Sequence, residues 1–116
     1  MTRWSHPVAS FWAGGDLSFI EQMVLASYLE QDCDFTLYVA GEVGGIPAGV
    51  AVRDASEILP KPGFVSGPPT RHELAVWSDL FRVALLRRRE VIWVDMDAYC
   101  LAPYATSTGY LFGLND

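Results

Sequence analysis

The run VIWV, residues 91–94, constrains the fold of this chain most strongly, because no polar residue interrupts its apolar members. A strand with one face in water alternates apolar and polar residues, whereas a strand covered on both faces does not. Residues 91–94 therefore predict a buried strand with a layer on each side. Helices form these layers in α/β proteins, where they cover both faces of a mostly parallel sheet.

Two capping boxes predict where the covering helices begin. The first, at residues 18–21, opens a stretch with apolar residues at helical spacing that runs to about residue 30. The second, at residues 70–73, opens a similar stretch that ends near residue 88. In each box a hydroxyl and a glutamate carboxylate bond to each other's backbone amides, which fixes the first turn of the helix.

Other apolar runs predict the remaining strands. Residues 7–12 and 34–41 are rich in β-branched and aromatic residues, and residues 50–56 are a further short candidate. Residues 59–69 carry four prolines and two glycines and are predicted to be irregular. The order β, α, β, β, α, β indicates an α/β sandwich with a mainly parallel sheet, built as a single domain over residues 1–116.

Charge and cysteine content narrow the range of partners. A net charge of −6 argues against a nucleic-acid partner, because phosphates require a basic surface. Cys33 and Cys100 lie far apart without metal-binding spacing, so two reduced thiols are predicted, with a single disulfide as the alternative. No apolar run reaches the ~20 residues that span a bilayer, and the first residues lack the features of a signal peptide. A cytoplasmic protein with no transmembrane segment is expected.

The aspartate pair that follows residues 91–94 predicts a metal site. Asp95 and Asp97 are separated by one residue, and alternate residues of a strand point to the same face. An oxygen-only site favours Mg²⁺ or Mn²⁺ over zinc. With one or two carboxylates from the protein, such an ion completes its shell with water and substrate phosphates. We therefore expect Mn²⁺ or Mg²⁺ together with a diphosphate.

Two other interpretations of the aspartate pair stay open. Aspartate is common in solvated turns at the ends of strands. A hydrophobic strand running into D-x-D also opens the haloacid-dehalogenase fold, where the first aspartate is a nucleophile and the second a general acid. That motif normally continues with Gly-Thr and has its catalytic domain downstream, whereas Ala98 and Tyr99 follow here and little sequence remains. A phosphatase-like hydrolase is therefore the weaker alternative.

Four further residues are candidates for the same site. Trp12 ends the first strand, where it can stack on a base or belong to the core, and Gly14 lets the backbone approach a nucleotide. Asp79 and Arg82 share a helix face and form either a surface ion pair or part of a polar cleft. Because ligands gather at the carboxyl ends of parallel strands, Trp12 and the aspartate pair are predicted to belong to one site.

Three segments carry a resemblance to a known family: FWAGGDLSFIEQMVLASYLEQDCDFTLYV, WSDLFRVALL and VIWVDMDAYCLAPY. Together they resemble the glycosyltransferases with a DXD sugar-binding region, a group that includes bacterial capsular polysaccharide transferases and eukaryotic α-mannosyl- and α-galactosyltransferases. The resemblance implies a GT-A-like, Rossmann-like fold that binds a nucleotide-sugar, most often a UDP-sugar. It also implies Mn²⁺ or Mg²⁺, a glycan or other acceptor, and transfer with retention of configuration.

The resemblance also implies roles for individual residues. Asp97 resembles the direct metal ligand, and Asp95 the residue that contacts the donor and reaches the metal through water. Trp12 would pack on the base, beside the backbone at Gly14. Asp79 and Arg82 would together hold the hydroxyl groups of the donor sugar.

The chain departs from the family pattern in two respects. Glu90 and Val91 stand where the family usually has Gly-Gly, which predicts a reshaped entry to the strand. Family members are also about twice as long, in line with the larger core of a full enzyme domain. We therefore expect the donor-binding half of a truncated glycosyltransferase, ending mid-sheet at residues 109–116, with self-association through an exposed sheet edge. A non-catalytic nucleotide-sugar-binding module is the alternative.

Overall fold

A computed structural model describes residues 4–97 and residue 100. The elements in chain order are β1 (Val8–Ala13), α1 (Phe19–Leu29), β2 (Phe35–Ala40), β3 (Ala51–Asp54), a 3₁₀ turn (Ala55–Glu57), α2 (Arg71–Arg88) and β4 (Ile92–Trp93). The four strands form one sheet in the order β3-β2-β1-β4, and every neighbouring pair is parallel. The predicted α/β class with a parallel sheet is confirmed, while the assignment to a GT-A-like fold stays a prediction.

Both predicted helix starts are confirmed by their hydrogen bonds. The Thr70 hydroxyl accepts the backbone N–H of Glu73 at 3.1 Å, and the Glu73 carboxylate accepts the backbone N–H of Thr70 at 2.8 Å. At the start of α1 the Glu21 carboxylate accepts the backbone N–H of Ser18 at 2.7 Å. These local bonds satisfy amides that the first turn of a helix leaves without partners.

The two helices cover opposite faces of the sheet. On one face, α1 packs Leu25 and Tyr28 against Phe35 of β2, and all three side chains are at most 1% exposed. On the other face, α2 packs Phe81 against Phe11 of β1, with ring centroids 4.8 Å apart. Strands β1, β2 and β4 are therefore covered on both sides, as the unbroken apolar run at the last strand predicted.

The last strand is shorter than the sequence predicted. Residues 91–94 are all buried, but regular pairing covers only Ile92–Trp93. One more hydrogen bond joins the amide of Val94 to the carbonyl of Ala9 at 3.2 Å, and a turn follows at Met96 and Asp97. The expectation that strand alternation orients both aspartates is therefore wrong, because the pair lies beyond the strand.

Among the described residues, β3 and β4 are the two edge strands of the sheet. Strand β3 pairs only with β2, and all its residues are exposed. It is short and carries Arg53, which forms an ion pair with Glu57 at 2.7 Å, and short charged edges resist pairing with other chains. Self-association stays a prediction.

None of the described helices is long and apolar enough to cross a membrane. Residues 109–116, where an interrupted sheet was expected, lie outside the described residues.

Candidate functional site

The strand order creates a crevice between β1 and β4. The chain adds β2 and β3 on one side of β1 and then returns to place β4 on the other side. In open α/β sheets, ligands bind outside the carboxyl ends of the strands at such a reversal of strand order. Strand β4 pairs with Val8 and Ala9 only, whereas β1 continues to Ala13. Strand β4 ends at Trp93, so among the described residues no strand lies beside the last residues of β1 on this side, which leaves the crevice open.

The crevice contains a cavity of about 690 Å³, and most of the predicted site residues line it. Trp12 and Gly14 contribute from the end of β1, and Asp95 and Asp97 contribute from the end of β4. The volume lies within the range of about 300–1,000 Å³ that is usual for small-molecule sites. The cavity can therefore hold a ligand the size of a nucleotide.

The backbone of β1 directs the N–H and C=O groups of two residues toward the crevice. Backbone groups of successive strand residues point to opposite neighbours. The Val8 amide bonds to Asp34, just before β2, whereas the Ala9 carbonyl accepts from the β4 side. Phe11 and Ala13 follow Ala9 at two-residue intervals, so their N–H and C=O groups face β4 beyond the last rung of the ladder. Such N–H groups are suitable donors to phosphate oxygens.

The two aspartates are exposed, but they differ in their hydrogen bonding. The indole Nε1 of Trp93 donates to Oδ1 of Asp95 at 3.1 Å. Asp97 makes no hydrogen bond to another described residue. Both aspartates line the cavity, and within the described part of the chain one oxygen of Asp95 is already bonded to Trp93.

The side chains of the cavity could bind a metal ion that also keeps water or substrate oxygens as ligands. Within residues 4–97 and 100, no three His, Cys, Asp or Glu side chains are grouped to hold a metal ion by themselves. A metal here would take only Asp95 and Asp97 from the described residues. Mg²⁺ is commonly bound in this way, through one or two carboxylates together with substrate phosphates.

Trp12 and Gly14 form the wall at the end of β1. The Trp12 side chain is half-buried against the α1-side core, and its indole Nε1 donates to the Gly15 carbonyl at 2.6 Å. Gly14 has φ of +114°, and a Cβ built there would lie 3.4 Å from a methyl group of Leu74. The backbone conformation at this position therefore favours glycine. Glycine also allows the backbone to come close to a bound ligand.

Asp79 and Arg82 are not among the residues that line this cavity. Asp79 is exposed, and Arg82 is half-buried further along α2. The residue before them, Ser78, does line the cavity. Their predicted contact with a donor sugar stays a prediction, since nothing in the described geometry brings them to the aspartate pair.

Four polar residues of the cavity were not found from the sequence: Ser10, Glu21, Arg71 and Ser78. Arg71 and Ser78 lie two helical turns apart on α2, so they share the helix face that meets the carboxyl ends of the strands. That spacing is visible in the sequence. It becomes informative only when the placement of α2 over the sheet is known.

A second cavity of about 450 Å³ adjoins the first at Ala13 and Gly14. It lies between the ends of β1, β2 and β3 and the irregular segment before α2, which contributes Lys61. Trp77 also lines it, and the buried indole Nε1 of Trp77 has no hydrogen-bond partner among the described residues. The proline-rich segment thus forms a wall beside the main cavity, a role that its composition alone did not indicate.

Comparisons with known proteins add no family assignment. The chain matches no protein-family model, and no curated protein or solved structure is significantly similar to it.

Proposed function

We propose that this chain binds a nucleotide-sugar through a divalent cation, as the donor-binding part of a metal-dependent glycosyltransferase. One observation carries the proposal: Trp12 and Gly14 line the same cavity as Asp95 and Asp97, at the point where the strand order reverses. This is where α/β sheets bind nucleotides. Two of the three segments that resemble DXD glycosyltransferases contribute these four residues.

The residues of the crevice have complementary tasks in this proposal. Asp97 would hold Mn²⁺ or Mg²⁺ directly, and Asp95, one of whose oxygens accepts a hydrogen bond from Trp93, would hold it through water. A bound divalent cation would offset the negative charge that grows on the departing diphosphate. The amides of Phe11 and Ala13 donate to phosphate oxygens, and the indole of Trp12 packs on the base, for which UDP is the expected nucleotide.

The chemical step is a group transfer from the donor to an acceptor hydroxyl. The bond between the anomeric carbon and the diphosphate oxygen breaks, and its electron pair stays on the diphosphate. The acceptor oxygen bonds to the anomeric carbon, and its proton passes to the released diphosphate. A glycan or other acceptor and retention of configuration are part of the proposal by resemblance. A module that binds the donor without turnover remains the alternative.

Isothermal titration calorimetry tests the proposal directly. UDP-glucose should bind the wild-type protein in the presence of Mn²⁺ and much more weakly in EDTA. Asp97→Asn should abolish the effect of Mn²⁺, because a neutral amide is a poor ligand for a hard cation. Asp32→Asn is the matched control, since Asp32 precedes β2 at the opposite end of the sheet and asparagine tolerates its φ of +56°.

Two results would count against the proposal. No binding of UDP-sugars by the wild-type protein, with or without Mn²⁺, would exclude the donor site. Equal loss of binding in Asp97→Asn and Asp32→Asn would show a general effect of charge on the protein. Release of phosphate from simple phosphomonoesters would instead favour the hydrolase.

A further inference from the structure

Arg71 is the one basic side chain among the described residues that line the main cavity. It is the first residue of α2, and it lines the cavity together with Asp95 and Asp97. It forms no ion pair with another described residue. The guanidinium group of Arg71 therefore lies at a cavity whose other charged side chains are acidic, and it is not paired with a carboxylate of the described residues.

The proposed complex contains more negative charge than one divalent metal ion can balance, so a positively charged side chain in the cavity would stabilise it. Asp95 and Asp97 together carry two negative charges, which one divalent ion balances. The diphosphate of a nucleotide-sugar adds two more, and Glu21 adds another carboxylate to the cavity wall. Like charges held close together in a cavity repel one another unless a positive group lies near them.

We infer that Arg71 binds the diphosphate of the donor and of the nucleoside diphosphate product. This inference rests on the proposed function. The guanidinium group presents a fork of N–H donors that matches two phosphate oxygens. It would act from the start of α2, whereas the metal is held from the end of β4. Two separate elements would thus bind one diphosphate.

The inference predicts a dependence on the charge of the ligand. Free UDP carries one more negative charge on its terminal phosphate than the sugar ester does. A side chain that binds by charge therefore contributes more to UDP affinity than to UDP-glucose affinity. It contributes nothing to the affinity of uridine, which has no phosphate.

Calorimetry of Arg71→Gln in Mn²⁺ provides the test. We expect a loss of about tenfold or more in affinity for UDP, the size expected for a charge-assisted hydrogen bond. The loss for UDP-glucose should be smaller, and Arg71→Lys should restore part of the UDP affinity. Glutamine is a good helix former, so α2 should be retained. Arg87→Gln, an exposed position in the last turn of the same helix, is the control and should bind like wild type.

The outcomes separate this inference from the proposed function. Mn²⁺-dependent UDP-glucose binding by wild type, with equal UDP affinity in Arg71→Gln and Arg87→Gln, would overturn the role of Arg71 and leave the donor site standing. An equal loss for UDP and UDP-glucose would overturn the charge-based role. No binding by wild type in Mn²⁺ would overturn both.

Discussion

The indole Nε1 of Trp93 donates a hydrogen bond to Oδ1 of Asp95 at 3.1 Å. The Trp93 ring also packs against Phe81 in the α2-side core, with ring centroids 6.1 Å apart. The first aspartate of the D-x-D pair is therefore attached to a buried side chain, whereas Asp97 makes no such bond to the described chain. This difference is consistent with the proposed roles, in which Asp97 would contact the metal directly and Asp95 would contact it through water.

Replacement of Trp93 by phenylalanine should separate positioning from packing. Phenylalanine keeps an aromatic ring in the core but has no N–H to orient Asp95. Partners that orient metal ligands typically contribute 10–100-fold to metal affinity, so we expect about a tenfold loss of Mn²⁺-dependent UDP-glucose affinity. The free energy of unfolding should fall by only about 1 kcal/mol. Calorimetry and urea denaturation measure the two effects.

Trp4→Phe is the matched control for this prediction. The Trp4 indole donates to the carbonyl of Gln31 at 2.8 Å, away from the cavity. This variant should lose similar stability and keep the ligand affinity of wild type. If Trp93→Phe binds UDP-glucose as tightly as Trp4→Phe does, Asp95 needs no positioning by Trp93.

Gly14→Ala should affect both the fold and the ligand. A non-glycine residue at the φ of +114° found at Gly14 is strained, so the free energy of unfolding should fall by about 1–3 kcal/mol. The added methyl group would also lie against Leu74 at the cavity wall, which should weaken UDP-glucose binding. Gly63→Ala is the control, because a Cβ at Gly63 meets no atom within 4 Å. Equal stability of the two variants would contradict the strain at Gly14.

The helix boundaries could be predicted because their determinants are local. The capping box at Thr70 and Glu73 involves residues three apart, and α2 begins at the residue after Thr70. The same holds for Ser18 and α1. Each box needs only a hydroxyl, a carboxylate and the intervening backbone, so the sequence contains the whole interaction.

The site was only partly predictable because it depends on strand order. The sequence placed Trp12 and the aspartates at carboxyl ends of strands, but it could not show that their strands are neighbours. That pairing is set by packing of both helices against the sheet, which is not local. The same limit explains Asp79: helical spacing puts it on one face with Arg82, but the packing of Trp77 against the sheet leaves Asp79 exposed and outside the cavity lining.

The Cys33 thiol should make the free energy of unfolding fall as the pH rises through the alkaline range. Burial, followed by the nearby Cys100 and Asp34, raises the Cys33 pKa from 9.0 to about 12. The unfolded chain therefore loses this proton first, so stability is unaffected below pH 9 and falls as pH rises toward about 12. The slope is about 1.4 kcal/mol per pH unit for one thiol. Urea denaturation of wild type and Cys33→Ala between pH 8 and 11 measures it, since other alkaline groups titrate in both proteins. The stability advantage of wild type should shrink with pH, and parallel curves would show that burial does not suppress ionisation of Cys33.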